Sequence, residues 1–286
     1  MARTAVKPVV VGIDGSRQAE HAALWAVDEA IGQGVPLRLV YVVRTDLTGP
    51  LSAEQYRTAV DAAKLALHAV RSELEAGRPV TVETEIAEGS PAGVLLAESE
   101  DATMICVGSS GLGWLGRAML GSTAAALAER ASCPVTIIRS PKDAEQQEEH
   151  TKWVMIPVSV FTDNELITAA VDQARLLRRP VLAVGVRHPD LGSTPYDALD
   201  GLVAQWQTKF PDVHIYPVSD DTGMSQFVKT HPELGGLVVI DAESADDVSS
   251  IVGGEHHGHS PHAERAVLVA RNYAVRKSPP MPSVRC

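Results

Sequence analysis

The sequence predicts an α/β protein built as two tandem, doubly wound parallel-sheet domains of five strands each. Three observations lead there. Short apolar runs alternate with longer segments whose apolar residues recur at helical spacing, which is the pattern of βαβ units in a parallel sheet. The order of these elements begins again after residue 150, as an internal repeat. Glycine-rich turns follow the first and fourth apolar runs, at the strand ends where such sheets receive ligands.

The first half reads cleanly in order. Residues 9–13 form an apolar strand, and Ala19, Ala22, Ala23, Ala26, Val27 and Ala30 follow at helical spacing. Residues 37–43 make a second strand, interrupted only by Arg38. Tyr56, Ala59, Val60, Ala63, Leu67, Val70 and Leu74 form the stripe of a long helix. A third, more polar strand covers 80–86, a short helix 91–97, and a fourth strand 103–107. A helix at 122–130 and a fifth strand at 135–138 complete the set, giving a domain over 1–140. Residues 141–150 are polar and acidic, without an apolar anchor, and read as a linker. The second domain, 151–276, repeats the order with strands at 153–158, 180–186, 213–218, 236–240 and 266–270. Helices are expected at 166–177 and 199–210, with a short one at 224–228. The tail, 277–286, holds Pro279, Pro280 and Pro282 and is expected to be disordered.

Composition bounds the function. The 286 residues suit two domains, and the formal charge of −11 argues against a nucleic-acid partner, whose phosphates need Lys and Arg. No apolar run approaches the ~20 residues of a membrane span, and the N-terminus leads straight into the first strand without a signal peptide, so a cytoplasmic protein is expected. The three cysteines form no framework: Cys106 and Cys133 read as small buried apolar residues, and Cys286 as an exposed thiol on the tail.

The most informative segment is Val107-Gly108-Ser109-Ser110-Gly111, followed after nine residues by Gly121-Ser122-Thr123. It is a strand, a glycine-rich loop and a helix start. Glycines let the backbone approach a ligand, and a helix N-terminus offers unpaired N–H groups to phosphate. Taken alone the loop reads equally well as a tight βα turn. A second signal sits at the chain start, where Val9-Val10-Val11-Gly12-Ile13-Asp14-Gly15-Ser16 ends an apolar strand in a carboxylate. Asp14 also has a plain reading as turn chemistry, with Ser16 as helix cap.

Together these segments, with the closing strand Cys133-Pro134-Val135-Thr136-Ile137-Ile138, resemble the universal stress protein family over residues 7–140. The resemblance implies a Rossmann-like fold, tandem domains, and binding of ATP or another adenine nucleotide, with or without Mg, in the first half. It implies that Asp14 meets the ribose or the phosphate–magnesium end, and that the backbone at Val42 meets adenine. It further implies that Gly12 gives clearance, that Gly108, Ser109, Ser110, Gly111, Leu112 and Gly113 close around phosphates, and that Gly121, Ser122 and Thr123 donate to them. The family often places a cation in the loop, whereas here Ser110, Leu112 and Trp114 precede the first one, Arg117. Weaker binding, or a nucleotide with fewer phosphates, is therefore open.

No catalytic set stands out. His21 and His68 fall on helices, and a phosphate-loop Gly-Lys-Ser/Thr is absent. A binding module with a regulatory role in stress response is the leading expectation. A scaffold without nucleotide and a slow ATP-cleaving enzyme are its alternatives. In the second half Ser159 stands for Asp14, Asp241 for Gly108, Ser244 for Gly111, Gly254 for Gly121 and Glu255 for Ser122, a pattern that predicts loss of nucleotide binding there. His256, His257, His259 and His262 follow, as metal ligands or as a solvated loop. The resemblance also implies edge-strand pairing. The closing strands at 135–138 and 267–270 are expected to pair within the chain, with a further homodimer through other surfaces.

Overall fold

The computed structural model describes residues 6–45, 51–76, 78–111, 120–139, 152–159, 162–186, 196–220, 222–253 and 265–273. The linker, the loop holding Leu112, Gly113, Trp114 and Arg117, the histidine-rich segment and the tail with Cys286 lie outside the described residues.

The first half runs β1 (Val9–Ile13), α1 (Arg17–Gln33), β2 (Leu37–Arg44), α2 (Ala53–Glu75), β3 (Val82–Gly89), α3 (Pro91–Glu98), β4 (Met104–Gly108), α4 (Ser122–Arg130) and β5 (Val135–Arg139). The second runs β6 (Trp153–Val158), α5 (Asn164–Leu177), β7 (Val181–Gly185), α6 (Tyr196–Lys209), β8 (Ile215–Ser219), α7 (Met224–Thr230), β9 (Gly236–Asp241), a 3-10 turn (Ala245–Asp247), α8 (Val248–Gly253) and β10 (Arg265–Ala270). The strands form one sheet in the order β3-β2-β1-β4-β5-β10-β9-β6-β7-β8. Pairing is parallel within each half and antiparallel only between β5 and β10, where Val135 faces Val269 and Ile137 faces Val267.

The sheet order follows from which strands tolerate water. β3 carries Glu83, Glu85 and Glu88, and β8 carries Pro217, which removes a ladder donor. Charge and proline blunt these two outer edges. β5 and β10 are apolar and almost wholly buried, so each needs a partner on both sides. Arg38 breaks the apolar run of β2 because its side chain leaves the core to meet Glu83 (3.1 Å) on β3 and Glu98 (3.3 Å) on α3. The third strand begins at Val82 rather than 80, because Val80 is still in the preceding turn, and it continues to Gly89 in register with β2 up to Arg44.

Each face of the sheet buries an apolar layer that runs through both halves. Valines 9 and 11, Leu37, Leu39, Val154, Ile156, Leu237 and Leu268 pack under α1, α2, α5 and α6. Ile105, Leu127, Ile137, Phe227, Val238, Ile251 and Val267 pack under α3, α4, α7 and α8. Fully burying one such side chain stabilises by ~1.5–3 kcal/mol. Helices α1 and α5 meet across the β5–β10 seam, where the buried Glu29 accepts from Gln173 of the opposite half and from Gln33 at 3.0 Å. Cys106 and Cys133 are buried, as their composition suggested. Burial pushes the Cys133 thiol up to about 12, so it stays protonated and a poor nucleophile.

Gly236 starts β9 at φ +139°, and a Cβ there would collide with the backbone of Trp153 on β6. Gly236→Ala is therefore expected to destabilise the chain by about 1–3 kcal/mol, read as a lower urea midpoint with unchanged slope.

Candidate functional site

The site is built at the carboxyl ends of β1 and β4, on the face covered by α3 and α4. Asp14 follows β1, and its Oδ1 accepts the Ser16 N–H at 2.9 Å. Ser16 caps α1 by accepting the Ala19 N–H at 3.2 Å. The turn reading and the site reading of Asp14 are thus compatible: one carboxylate oxygen serves the turn, and the other, Oδ2, points at Gly111. A Cβ on Gly111 would collide with that oxygen. Neither Gly111 nor Gly121 takes a positive φ, so conformational strain does not require glycine at either position.

The two described ends of the loop after β4 lie side by side. Ser109 is buried; its N–H donates to Ile138 O at 2.8 Å, and its carbonyl accepts from Gly121 N–H at 2.8 Å. This bond brings the start of α4 back beside the end of β4, with Ser110 Cα 3.6 Å from where a Gly121 Cβ would stand. Gly121 is the N-cap of α4 and offers no side-chain hydrogen bond. Ser122 and Thr123 are the first helical residues, the former exposed and the latter half-buried. The contrast within the half is informative. Ser16, Ser52 and Ser90 cap α1, α2 and α3 by accepting a first-turn N–H. Of these four helices, only α4 has an N-cap residue, Gly121, that supplies no side-chain acceptor to the first turn.

Gly12 and Gly108, also assigned to the ligand, have packing reasons of their own. A Cβ at Gly12 would stand 2.8 Å from Leu95 and 3.3 Å from Val107, so glycine lets α3 close on the sheet. One at Gly108 would meet Gln18 Cβ at 2.7 Å and its carbonyl carbon at 2.8 Å, so glycine lets α1 close on β4. Val42 is half-buried on β2 opposite Ala87, on the same face of the sheet as Leu95. Leu112 and Gly113 lie outside the described residues. Tyr41, which the motif reading missed, pairs in register with Ile13, and its phenol is held above its ordinary pKa by burial and then by the Asp14 carboxylate. Its place beside Ile13 on the neighbouring strand was legible only once the register was known. His68 is exposed on α2, with its ring 3.3 Å from Ser72 Oγ, and His21 sits on α1 with a buried Nδ1.

The second half departs at the same place. Laying β1 on β6 puts Asp14 on Ser159 and Gly108 on Asp241, as the motif comparison had it. Asp241 Oδ1 accepts the Ser244 N–H at 2.8 Å, so that N–H is turned to a carboxylate of the chain itself. Asp246 and Asp247 add charge there. One alignment is corrected. Gly254 and Glu255 do not precede the counterpart of α4, because that helix is α8 and ends at Gly253. The histidines that follow stand in sequence between α8 and β10. Helix α8 was not expected from the sequence. Val248, Ile251 and Val252, at helical spacing, were its signal, and Asp246, Asp247, Ser249 and Ser250 obscured it. Among the described residues no group of three or more metal-ligating side chains occurs, and no helix is long and apolar enough to cross a membrane.

Parallel half-sheets wound on both faces, with a carboxylate and a glycine-capped helix start at adjoining strand ends, define a doubly wound α/β protein. Residues 5–139 match the family model of the universal stress protein family. Universal stress protein Rv2624c of Mycobacterium tuberculosis (strain ATCC 25618 / H37Rv) is 40% identical over 268 residues, covering 93% of this chain and 97% of the relative. Universal stress protein Rv3134c of the same strain is 38% identical over 253 residues, covering 85% and 91%. The crystal structure of a universal stress protein from Archaeoglobus fulgidus DSM 4304 shares the fold, with a TM-score of 0.68 at 13% identity over 93% of this chain and 97% of that one. The chain belongs to the universal stress protein family.

Proposed function

We propose that the first half binds one adenine nucleotide, ATP or a relative with fewer phosphates, and that occupancy sets the conformation or partner choice of a cytoplasmic regulator of stress response. The observation that carries this reading is the N-terminus of α4, whose N-cap Gly121 offers no side-chain acceptor and is held beside Asp14 by the Ser109–Gly121 hydrogen bond. The N–H groups of the first turn would take phosphate oxygens, with the helix dipole adding to the attraction. The Asp14 carboxylate, an acceptor only, suits a ribose hydroxyl or a magnesium ion and would repel a bare phosphate. The backbone at Val42 would face adenine. The donor set therefore fits the nucleotide that the family resemblance implies.

We read the site as a binding site and not a catalytic one. Mass spectrometry of ligand released from the purified protein should find an adenine nucleotide, and calorimetric titration should find one site per chain, since Asp241 and Ser244 occupy the corresponding place in the second half with their own hydrogen bond. Two equivalent sites would refute the asymmetry. Absence of any adenine nucleotide, together with no heat on titration, would favour a scaffold. Phosphate or pyrophosphate released with turnover would favour an enzyme. Homodimers of this chain would use surfaces other than β5 and β10, which already pair with each other.

A further inference from the structure

The carboxyl end of α4 is held by the other half of the chain. Arg271, which follows β10, donates through Nη1 to Ala131 O (2.7 Å) and through Nη2 to Ala128 O (2.9 Å) and Glu129 O (2.8 Å). Its neighbour Asn272 donates through Nδ2 to Ser132 O (3.2 Å). The carbonyls of a last helical turn have no partners within the helix, and a cation there also meets the negative end of the helix dipole. The arrangement is reciprocal. Laying Val10 of β1 on Met155 of β6 puts Ile105 on Val238 and Val135 on Val267, which makes Arg139 and Arg271 equivalent positions. Arg139 reaches across the seam to Val252 O near the end of α8. Each closing strand thus clamps the last helix of the opposite half.

The two clamps differ in what they hold. Arg139 grips α8, in the half where Ser159 stands in place of Asp14. Arg271 grips α4, whose first turn is the phosphate side of the site. We infer that Arg271 is a positioning residue for the first-half nucleotide site, so that the second half, without a comparable site of its own, completes the site of the first. This inference rests on the nucleotide-binding reading above.

Position, not charge, is what the clamp transmits. Helix α4 has nine residues, so its ends are separated by about 13 Å at ~1.5 Å per residue. That exceeds the screening length of ~8 Å at physiological salt, which leaves the guanidinium little direct pull on a phosphate at the far end. Three hydrogen bonds at its carboxyl end resist sliding of the helix along its axis and narrow its range of tilt. Its first turn then stays where the Gly121 N–H meets Ser109 O and where Asp14 lies against Gly111. The side chain is a fork of donors, and lysine at this position would keep the charge and lose the fork.

The test uses the full chain with Arg271→Ala, Arg271→Lys and, as a control for general destabilisation, Arg175→Ala, which removes a two-bond ion pair to Asp212 in the second half. ATP affinity is measured by calorimetry well below the melting temperature, and amide exchange is measured without ligand. Arg271→Ala is expected to weaken ATP binding about tenfold and to speed exchange of the Gly121 and Ala125 amides at the far end of α4. Arg271→Lys is expected to do the same in lesser degree, and Arg175→Ala to change neither. Unchanged affinity and unchanged exchange at Gly121 and Ala125, with only a lower melting temperature, would overturn the inference and reduce Arg271 to a tie between the halves. Full rescue of affinity by lysine would also overturn it, in favour of charge. If the unmodified chain bound no ATP, the nucleotide reading would fail by itself. The exchange measurement would then still decide whether Arg271 positions the first turn of α4.

Discussion

Gly111→Ala is expected to weaken adenine-nucleotide binding about tenfold to a hundredfold while the fold survives. The reason is local. The added Cβ would crowd Asp14 Oδ2, and Asp14 cannot retreat freely because its Oδ1 holds the Ser16 N–H at the start of α1. The carboxylate must rotate away, or the loop must lift. Either change removes a hydrogen bond to a charged group, worth ~1.5–3 kcal/mol, which corresponds to the stated loss at ~1.4 kcal/mol per factor of ten. Stability should change little, since Gly111 is exposed and has no positive φ to strain. A double-mutant cycle with Asp14→Ala identifies the route. If Gly111 acts through Asp14, the alanine at 111 should cost almost nothing more once the carboxylate is gone. Additive losses would show that Gly111 meets the ligand by itself, and unchanged affinity in the single variant would remove the loop from the site.

The same pair shows what the sequence could and could not reveal. Periodicity located the strands and most of the helices, because each apolar run is an interior strand covered on both faces and each stripe is one face of a helix. The pairing of the two closing strands was legible for a related reason: residues 135–138 are apolar and nearly uncharged, which no exposed edge tolerates. The glycines were harder. Gly12, Gly108 and Gly111 look alike in a motif, yet one makes room for Leu95, one for the backbone of Gln18, and one for a carboxylate. Which neighbour fills the missing Cβ depends on how α1 and α3 dock, and that is set by contacts distant in sequence. Tyr41 was missed for the same reason, since only the β1–β2 register brings it beside Ile13 and the carboxylate that follows. Arg271 was invisible because it caps a helix about 140 residues earlier in the chain. Helix α8 was overlooked because it is short and its three apolar residues stand among Asp246, Asp247, Ser249 and Ser250, and the shift of Gly254 to the wrong end of the helix followed from that.

The second large effect concerns the seam. A fragment of residues 1–140 is expected to self-associate, where the full chain buries the same edge within itself. In the whole protein β5 lies between β4 and β10, with Ile137 and Ile138 fully buried and five residue pairs linking it to β10 from Arg139–Arg265 to Val135–Val269. Cutting the chain strips that partner away. The edge then shows unpaired N–H and C=O groups, each of which forgoes a hydrogen bond worth ~0.5–1.5 kcal/mol net, and the apolar layers lose their continuation under α5 and α8. The same antiparallel contact remains available with a second copy, because the β5 register against β10 is close to what two β5 strands could make with each other. Removal of the second half also removes the Arg271 clamp from α4. Sedimentation velocity should therefore find the fragment as a dimer or larger, and Ile137→Lys within it should shift the balance toward monomer by placing a charge on the exposed edge. The fragment's other edge gives no such contact, since Glu83, Glu85 and Glu88 guard β3. A fragment that stayed monomeric and folded at every concentration tested would show that β5 does not need its partner, and the seam would then be a consequence of tethering and not of the exposed edge.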